Sequence, residues 1–598
     1  MVVQTLQPLQ RFMRLLSLDK SDITYIYVYA IFSGLINLSI PLGVQAIIGL
    51  IAGGALSASL WILVAIVTGG TALVGILKIM QLTVTETIQR RIFARSAFDF
   101  AYRLPRLQLD TLVKEFPPEL VNRFFDTLNV QKGIPKILMD FSTAVLNIVF
   151  GLLLISFYHP FFVFFGISLL LILFSIFLIT GRRGIRTSLM ESKYKYKVAY
   201  WLEELGRNIG TFKLSGGSDL SLSRTDGLVC NYLESRQNHF RVLISQYWFI
   251  VSFKVVVTAS LLFLGSYLVI ENRINIGQFV AAEIIVLLVM SSAEKLIATM
   301  ETIYDVLTGL EKIGAVTDLP LERQSGMDFA EICTPEGIEL EVKNLNFRFE
   351  DSNKSLLNGL TFTVNKGEKI CIAGYSGAGK ATLLQILSGT YTNYKGSVSY
   401  NGVPLQNLEL ESLRRQIGNF SAHDDIFMGT ILENITLGSE RYNMDDVVSI
   451  AENVGLSDYI SSAPKGFETQ LLPGGRNIPR KIRTKILLAR SLATHPLFLV
   501  VEGMFEGLED TERDRITQLL ANPVKPWTMV AVSDDPTLAS NCDRVLIMKD
   551  GKVILSGSFE EIRKSEHFSH VFRGSGNVIS AFQNGNGNGL GHHDTVDN

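Results

Sequence analysis

The sequence predicts an all-α membrane domain of about six spanning helices, followed by an α/β domain built around a phosphate-binding loop. Two observations predict this. The 598 residues are 47% hydrophobic and 19% charged, with a mean hydropathy of +0.27, which is too apolar for a soluble chain of this length. In addition, a short apolar run leads into Gly374-Tyr375-Ser376-Gly377-Ala378-Gly379-Lys380, the strand, glycine-rich turn and lysine of a P-loop.

Composition excludes several classes of protein. The net charge of −2 gives no reason to expect a nucleic-acid partner. The four cysteines lack metal-ligand spacing, so neither a zinc site nor a disulfide framework is predicted. A change of composition near residue 320 separates a membrane domain over 1–320 from a nucleotide-binding domain over 336–572. The Asn- and Gly-rich end, 573–598, is predicted to be a flexible tail.

Six stretches in the first 320 residues have the length and apolar character of spanning helices. They lie at roughly 22–50, 60–84, 136–158, 160–181, 245–270 and 276–303. The polar segments between them keep a helical periodicity, so several helices are predicted to continue into water. Ahead of them, Gln7–Leu16 mixes apolar and basic residues, which predicts an amphipathic helix on the inner membrane surface. A cleaved signal peptide is the weaker alternative.

The distribution of Lys and Arg predicts the orientation of these helices. The long segments 85–135 and 182–244 are rich in Lys and Arg, whereas the short connections 52–59, 158–160 and 271–277 hold only Arg273. By the positive-inside rule, the long segments and both termini lie on the cytoplasmic side. The sequence therefore predicts a multi-pass protein of the inner (plasma) membrane.

Ionisable residues within the predicted spans need a partner or a function. Lys254, Glu283, Glu294 and Lys295 stand out. Counting about 1.5 Å per residue from the outer turn at 271–277 places Lys254 and Glu294 at similar depth. We expect a Lys254–Glu294 ion pair between the last two spans, unless these portions of the helices already lie in water.

The P-loop is predicted to hold phosphate through backbone N–H groups, the start of a helix and Lys380. A Ser or Thr that binds Mg²⁺ normally follows the lysine, but this chain has Ala381, which offers no oxygen. Thr382 comes one residue later, and on a helix its side chain points elsewhere. The loop is therefore expected to bind ATP without a well-built Mg²⁺ site, and no metal-ligating residue is assigned.

Alternating residues at 338–342 and 360–364 predict strands leading up to the P-loop. With this order of spans, inner segments and P-loop, the chain resembles a half-transporter of the ATP-binding cassette (ABC) exporter superfamily over nearly its whole length. The outer turn 271–277 is similar to that of the type I secretion exporters of proteins and peptides, although other exporters have similar turns. The resemblance implies inner coupling helices near 106–120 and 199–214.

The resemblance also implies a role for each cassette motif. It places the adenine-stacking aromatic at Phe349, which could equally be a core residue of a strand. A Gln that contacts the metal and the attacking water falls on Ala422, which can do neither. The partner-facing signature Leu-Ser-Gly-Gly-Gln falls on residues 478–482, which read Ile-Pro-Arg-Lys-Ile. Arg480 and Lys481 could attract phosphate at longer range, or form a basic patch facing solvent or a partner.

Three acidic or basic positions of the family's hydrolytic site are also changed. The Walker B Asp position is Glu502, and the following position, where the resemblance implies a catalytic Glu, is Gly503. The His that contacts the γ-phosphate falls on Asp534, whose negative charge would repel it. No catalytic residue of the family set is therefore intact. Loss of a general base alone costs about 10²- to 10⁴-fold in rate.

Three functions follow from the resemblance. The first is an ABC export subunit of the inner membrane that binds ATP and hydrolyses it weakly or not at all. The second is a pseudo-ATPase scaffold or regulatory subunit, and the third is an active exporter of peptides, proteins or lipophilic compounds using Glu502. The family implies a dimer, with a second copy or another half-transporter, because each nucleotide lies between one P-loop and the other subunit's signature. A periplasmic adaptor is a further partner that the resemblance leaves open.

Overall fold

The computed structural model describes residues 7–52, 58–112, 117–158, 160–349, 352, 354–422, 424–439, 442–505 and 507–572. The chain divides into two compact units, Met1–Leu107 with Thr111–Pro320, and Gln108–Asp110 with Leu321–Asn598. The tail predicted over 573–598 lies outside the described residues, as does part of the predicted coupling segment near 106–120.

Long helices dominate the chain before residue 320. The α-helices of this part of the chain, long and short, are in order α1 Pro8–Leu18, α2 Lys20–Asn37, α3 Ser39–Ala52, α4 Ala58–Arg103, α5 Leu109–Leu112, α6 Pro117–Asn122, α7 Asp126–Ser156, α8 Phe161–Arg207, α9 Ile209–Leu214, α10 Leu220–Ile270 and α11 Ile276–Thr317. Six helical segments of the described residues are long and apolar enough to cross a membrane, as predicted. Four helices run for 42 to 51 residues, which exceeds a bilayer and confirms that they continue beyond it.

Two predicted helices differ in detail. The stretch at 22–50 is not one helix, because α2 ends at Asn37 and α3 begins at Ser39. Pro41 lies in the first turn of α3, where its missing N–H is tolerated. In a single helix continuing from α2 the same proline would be an interior residue and would disrupt the helix. The segment predicted at 199–214 is also interrupted, since α8 runs to Arg207 and only the short α9 follows.

Helices α7 and α11 pack closely through glycines. A Cβ on Gly133 would lie 2.2 Å from Val306 Cγ2, and one on Gly151 would lie 2.6 Å from Val289 Cγ2. Small residues let helix backbones approach in membrane proteins, where van der Waals packing replaces the hydrophobic effect between helices. The buried residues of α11 follow this contact over most of the helix length.

The predicted amphipathic helix is α1, but its apolar face contacts protein. Phe12, Leu15 and Leu16 pack against an apolar cluster of the first unit, and Arg11 donates to Asp318 Oδ2 at 2.6 Å. One face of α1 therefore packs on protein, and the location of the helix on the inner membrane surface stays a prediction. The ion pair fixes α1 to the end of α11, which places Phe12 and its neighbours over other apolar side chains.

The second unit is an α/β domain with twelve strands among its described residues. They are β1 Leu340–Phe347, β2 Leu357–Val364, β3 Lys369–Gly374, β4 Lys395–Tyr400, β5 Val403–Pro404, β6 Ile417–Ser421, β7 Gly429–Thr430, β8 Gln470–Leu471, β9 Phe498–Glu502, β10 Thr528–Val532, β11 Arg544–Lys549 and β12 Lys552–Gly557. The predicted strands at 338–342 and 360–364 correspond to β1 and β2, which are longer and pair antiparallel.

A six-stranded sheet with the order β12-β11-β3-β10-β9-β6 forms the centre of this unit. The helices of the unit are α12 Lys380–Leu387, α13 Leu410–Arg414, α14 Ile431–Thr436, α15 Met444–Asn453, α16 Ser457–Ser462, α17 Arg480–Ala493, α18 Asp510–Leu520, α19 Pro536–Ser540, α20 Phe559–Arg563 and α21 Phe568–Val571. Strands β3, β6, β9 and β10 are parallel. Their carboxyl ends share one edge, where ligands of open α/β sheets bind.

Candidate functional site

The P-loop follows β3 at this carboxyl edge. Gly377 and Gly379 have φ angles of +75° and +88°, in the left-handed region that glycine tolerates. A Cβ on Gly379 would lie 2.8 Å from Leu357 Cδ2, whereas no described atom lies within 4 Å of a Cβ on Gly377. One side of the loop is therefore closed by the protein and the other is open, at the N-terminus of α12. This geometry suits a phosphate group.

Lys380 is held by the loop itself. Its Nζ donates to Gly374 O at 2.8 Å and to Tyr375 O at 2.9 Å. Burial lowers the pKa of Lys380, while the negative charges of Asp534 and Glu502 act in the opposite direction. An incoming phosphate would have to replace the two carbonyl contacts in the presence of both acids.

The residues that follow Lys380 offer nothing to a metal ion. Ala381 is exposed and has no oxygen, while the Thr382 side chain is only 8% exposed and belongs to the buried side of α12. The expectation that Thr382 points elsewhere is confirmed. Because the hydroxyl that normally binds Mg²⁺ is missing, these residues fit the phosphates of a nucleotide better than its metal.

Ala422 and Gly503 lie side by side at the ends of β6 and β9. Ala422 N donates to Glu502 O at 3.1 Å. Gly503 has a φ of +66°, and a Cβ built on it would lie 3.2 Å from Ala422 Cβ. The positions where the resemblance places a sensor Gln and a general base are therefore occupied by a methyl group and a glycine, and a side chain at 503 would crowd that methyl group.

The two acids of the edge lie at the ends of neighbouring strands. Glu502 is the last residue of β9 and pairs in register with Val532 of β10. Asp534 lies two residues after Val532, the last residue of β10, and is exposed. Since both charges act on Lys380, the P-loop has two carboxylates beside its lysine.

Helix α17 begins where the resemblance places the signature. Pro479 is the residue before its first turn and has no N–H to offer a phosphate. Lys481 Nζ lies 3.2 Å from Glu509 Oε1, and Lys485 Nζ lies 2.6 Å from Glu512 Oε1. The hydrogen bond from Lys485 lowers the pKa of Glu512. Lys481 and Lys485 are therefore paired within the chain, with acids that were not connected to them from the sequence.

Phe349 lies just beyond β1 and is half-buried. Its ring centroid is 5.0 Å from that of Phe347 and 5.8 Å from that of Tyr391, with both contacts edge-on. It therefore takes part in the apolar core and keeps a partly exposed surface. Base stacking by Phe349 stays a prediction.

Two ion pairs connect three spanning helices of the first unit. Lys254 Nζ lies 2.8 Å from Glu294 Oε1, so the predicted pair is present, and Lys295 Nζ lies 2.8 Å from Asp140 Oδ1. The Lys295–Asp140 pair was not predicted from the sequence. Counting about 1.5 Å per residue from the end of α7 at Ser156 puts Asp140 about 24 Å deep, close to Lys254, and would have found it.

Two family models match the chain, one for each unit. The model of the ABC transporter transmembrane region matches residues 23–292, and that of the ABC transporter domain matches residues 357–502. The chain belongs to the ABC transporter family. The resemblance and the fold class stated from the sequence are thus confirmed, and the chain is a multi-pass membrane protein with an ATP-binding cassette.

Curated relatives are similar to this ABC protein over about half of its length. The alpha-hemolysin translocation ATP-binding protein HlyB of Escherichia coli O157:H7 is 27% identical over 314 residues, which is 52% of this chain and 44% of the relative. The leukotoxin export ATP-binding protein LtxB of Aggregatibacter actinomycetemcomitans is 27% identical over 333 residues, 53% and 46% of the two chains. The matched part spans less than half of each of these two proteins.

A lipid exporter is similar as well. The ATP-dependent lipid A-core flippase of Legionella pneumophila (strain Paris) is 24% identical over 343 residues, 57% of this chain and 58% of the relative. Among solved structures, a bacterial Atm1-family ABC exporter with ATP bound matches with a TM-score of 0.79 and 16% identity, covering 91% of this chain and 96% of that one. At this identity the likeness concerns the fold, which is that of an ABC exporter.

Proposed function

We propose that the chain is an export subunit that holds ATP in its P-loop and hydrolyses it weakly or not at all. Ala422 and Gly503 carry this proposal, because neither residue has a side chain that could position or deprotonate the attacking water at the two positions where the resemblance places the sensor Gln and the general base. Ala381 removes the metal hydroxyl at the same edge. Losses at sites that act together do not add, so the expected result is a very low rate.

ATP binding would rest on groups that the loop still provides. The backbone N–H groups at 376–380 and the start of α12 would receive the phosphates, and Lys380 would leave Gly374 O and Tyr375 O to join them. Phe349 would stack on the base. Bound ATP supplies phosphoryl chemistry to an intact cassette; in this chain its role is to stabilise one arrangement of the cassette by binding.

The two alternatives differ in what Lys380 does. In a pseudo-ATPase scaffold or regulatory subunit, nucleotide binding is dispensable and the spans anchor other proteins. In an active exporter, Glu502 acts as the general base, and its position at the end of β9 beside Lys380 is the observation that supports it. Replacing Lys380 would abolish transport in the active exporter and leave the scaffold's function intact.

We also propose a cargo, a location and partners for the protein. The names of the relatives suggest a toxin-like polypeptide or a lipid, and the outer turn at 271–277 supports the polypeptide. We place the protein in the inner membrane with both termini in the cytoplasm, as half of a dimer. A periplasmic adaptor is the partner to seek first.

The deciding experiment uses purified protein in lipid nanodiscs. ATP binding is measured with and without Mg²⁺, alongside phosphate release, for the wild type and Lys380→Ala. The proposal expects Lys380-dependent binding that Mg²⁺ changes little, and no Lys380-dependent release. Lys380-dependent release would support the active exporter, whereas no binding at all would leave the scaffold.

A further inference from the structure

Tyr375, the second residue of the P-loop, connects this loop to the C-terminal segment of the cassette. Its Oη lies 3.2 Å from His567 Nδ1, and its ring stacks on that of His570 with centroids 6.2 Å apart and planes 27° from parallel. Lys549 Nζ lies 5.0 Å from the centre of the same ring. One P-loop side chain therefore contacts two histidines of the last described segment and a lysine at the end of β11.

The backbone of Tyr375 is fixed from two further directions. Its N–H donates to Met548 O at 3.1 Å, and its carbonyl accepts the hydrogen bond from Lys380 Nζ. A Cβ on the preceding Gly374 would lie 2.2 Å from Met548 O, so the loop packs closely against β11 at Gly374. Tyr375 therefore joins this loop backbone to the side-chain contacts with the C-terminal segment.

The C-terminal segment is itself anchored as a unit. Phe559, Phe568 and Phe572 form an aromatic cluster, with ring centroids 5.0 to 6.1 Å apart. Each such pair contributes about 0.5–1.5 kcal/mol beyond its buried area. These contacts hold the segment 559–572 together, and His567 and His570 lie within it.

We propose that the segment 559–572 controls nucleotide binding through Tyr375, so that occupancy of the P-loop and docking of this segment stabilise each other. Tyr375, His567 and His570 are positioning residues in this coupling. It rests on the proposed ability of the P-loop to hold ATP. The docked segment keeps the loop backbone in the shape in which its N–H groups receive phosphate; once the segment undocks, the backbone at Tyr375 loses this support, and the affinity for ATP falls.

The test combines affinity with hydrogen exchange on the full chain in nanodiscs. Tyr375→Ala and the double variant His567→Ala/His570→Ala should each weaken binding of a fluorescent ATP analogue about fivefold to tenfold, within the usual range of coupling between sites. Combining them should weaken binding little further, because both remove one interaction. Tyr375→Phe keeps the stacked ring and should retain most of the affinity. Tyr459→Ala, another half-buried tyrosine of the cassette, is the matched control.

If docking of the segment 559–572 raises the affinity for ATP, ATP must stabilise the docked segment by the same factor. A purely structural role of Tyr375 would not produce this effect of ATP. ATP should slow amide exchange over 559–572 in the wild type and in Tyr459→Ala. In Tyr375→Ala, saturating ATP should leave that exchange unchanged. Without nucleotide, Tyr375→Ala should speed exchange over 559–572 compared with the wild type, which tests the contact even if ATP does not bind. Unchanged exchange in the nucleotide-free variant, or additive losses of affinity, would overturn the coupling; absence of ATP binding alone would overturn only the proposed function.

Discussion

At the scale of single residues, the cassette edge combines an intact P-loop backbone with altered side chains around it. Gly377 and Gly379 have the left-handed backbone that a phosphate loop needs. The positions that would activate water are small, and Gly503 is left-handed as well. We therefore expect turnover to be weakened through particular side chains, while the backbone frame of the phosphate loop is kept.

Restoring the acid at position 503 should not by itself restore hydrolysis. Gly503→Glu forces a side chain into left-handed backbone, which costs about 1–2 kcal/mol, and brings its Cβ to 3.2 Å from Ala422 Cβ. We expect a lower melting temperature in nanodiscs and no phosphate release above that of Lys380→Ala.

The matched control for this variant is Gly503→Ala. It carries the same backbone cost without the carboxylate, so both variants should melt alike. Phosphate release by Gly503→Glu alone would show that the site relaxes more easily than its geometry indicates.

At the scale of elements, the spanning helices are connected by ion pairs at one depth. Lys254 on α10 pairs with Glu294 on α11, and the adjacent Lys295 pairs with Asp140 on α7. These side chains remain partly exposed, with 24% to 44% of their area accessible. Charges at such depth are costly unless paired, so the pairs fix the register of α11 between its neighbours.

Reversing one charge of the first pair should destabilise the membrane unit. Lys254→Glu places two carboxylates together, and we expect a loss of about 1–3 kcal/mol, seen as a lower melting temperature in nanodiscs. The double variant Lys254→Glu/Glu294→Lys should recover most of the loss. Glu86→Lys, at a surface pair whose side chains are 53% and 78% exposed, should change little. If the double variant is as unstable as the single one, the pair does not stabilise this register.

The sequence predicted the elements better than their contacts. Apolar length revealed six spans, and glycine spacing revealed the P-loop, because both are local properties. The break between α2 and α3 was missed because the stretch has the length and overall apolar character of one spanning helix. The contact between Tyr375 and His567 joins residues 192 positions apart, and the pairs of Lys481 and Lys485 depend on how α17 and α18 pack. Such contacts leave no period or spacing in the sequence.

At the scale of the whole molecule, a half-transporter is expected to complete each nucleotide site with a second subunit. In a dimer of this chain, every such site would combine an altered P-loop edge with the signature residues 478–482. Pairing with an intact subunit would leave the altered P-loop edge in one site and the altered signature in the other. Dimerisation by itself is therefore not expected to restore turnover.

Repair in trans provides a test of this arrangement. One copy receives Leu-Ser-Gly-Gly-Gln at 478–482, and a differently tagged copy receives Ala381→Ser, Ala422→Gln, Glu502→Asp, Gly503→Glu and Asp534→His. Only mixed dimers contain one complete site, so only they should release phosphate, at about 10²-fold or more above either homodimer.

Lys380→Ala supplies the control, since it should abolish this release in the second copy and spare it in the first. Equal release by all three dimers would contradict the shared site.

The contact of Gly503 with Ala422 also bears on how this gene can change over time. A single codon change at position 503 would meet both the backbone cost and the neighbouring methyl group, while the altered signature and metal position would still prevent turnover. Each intermediate would therefore be less stable and no more active than the present chain. If the chain holds ATP without efficient hydrolysis, as proposed, several substitutions together would be needed for efficient turnover, so we expect natural variation to change the use of the bound nucleotide first.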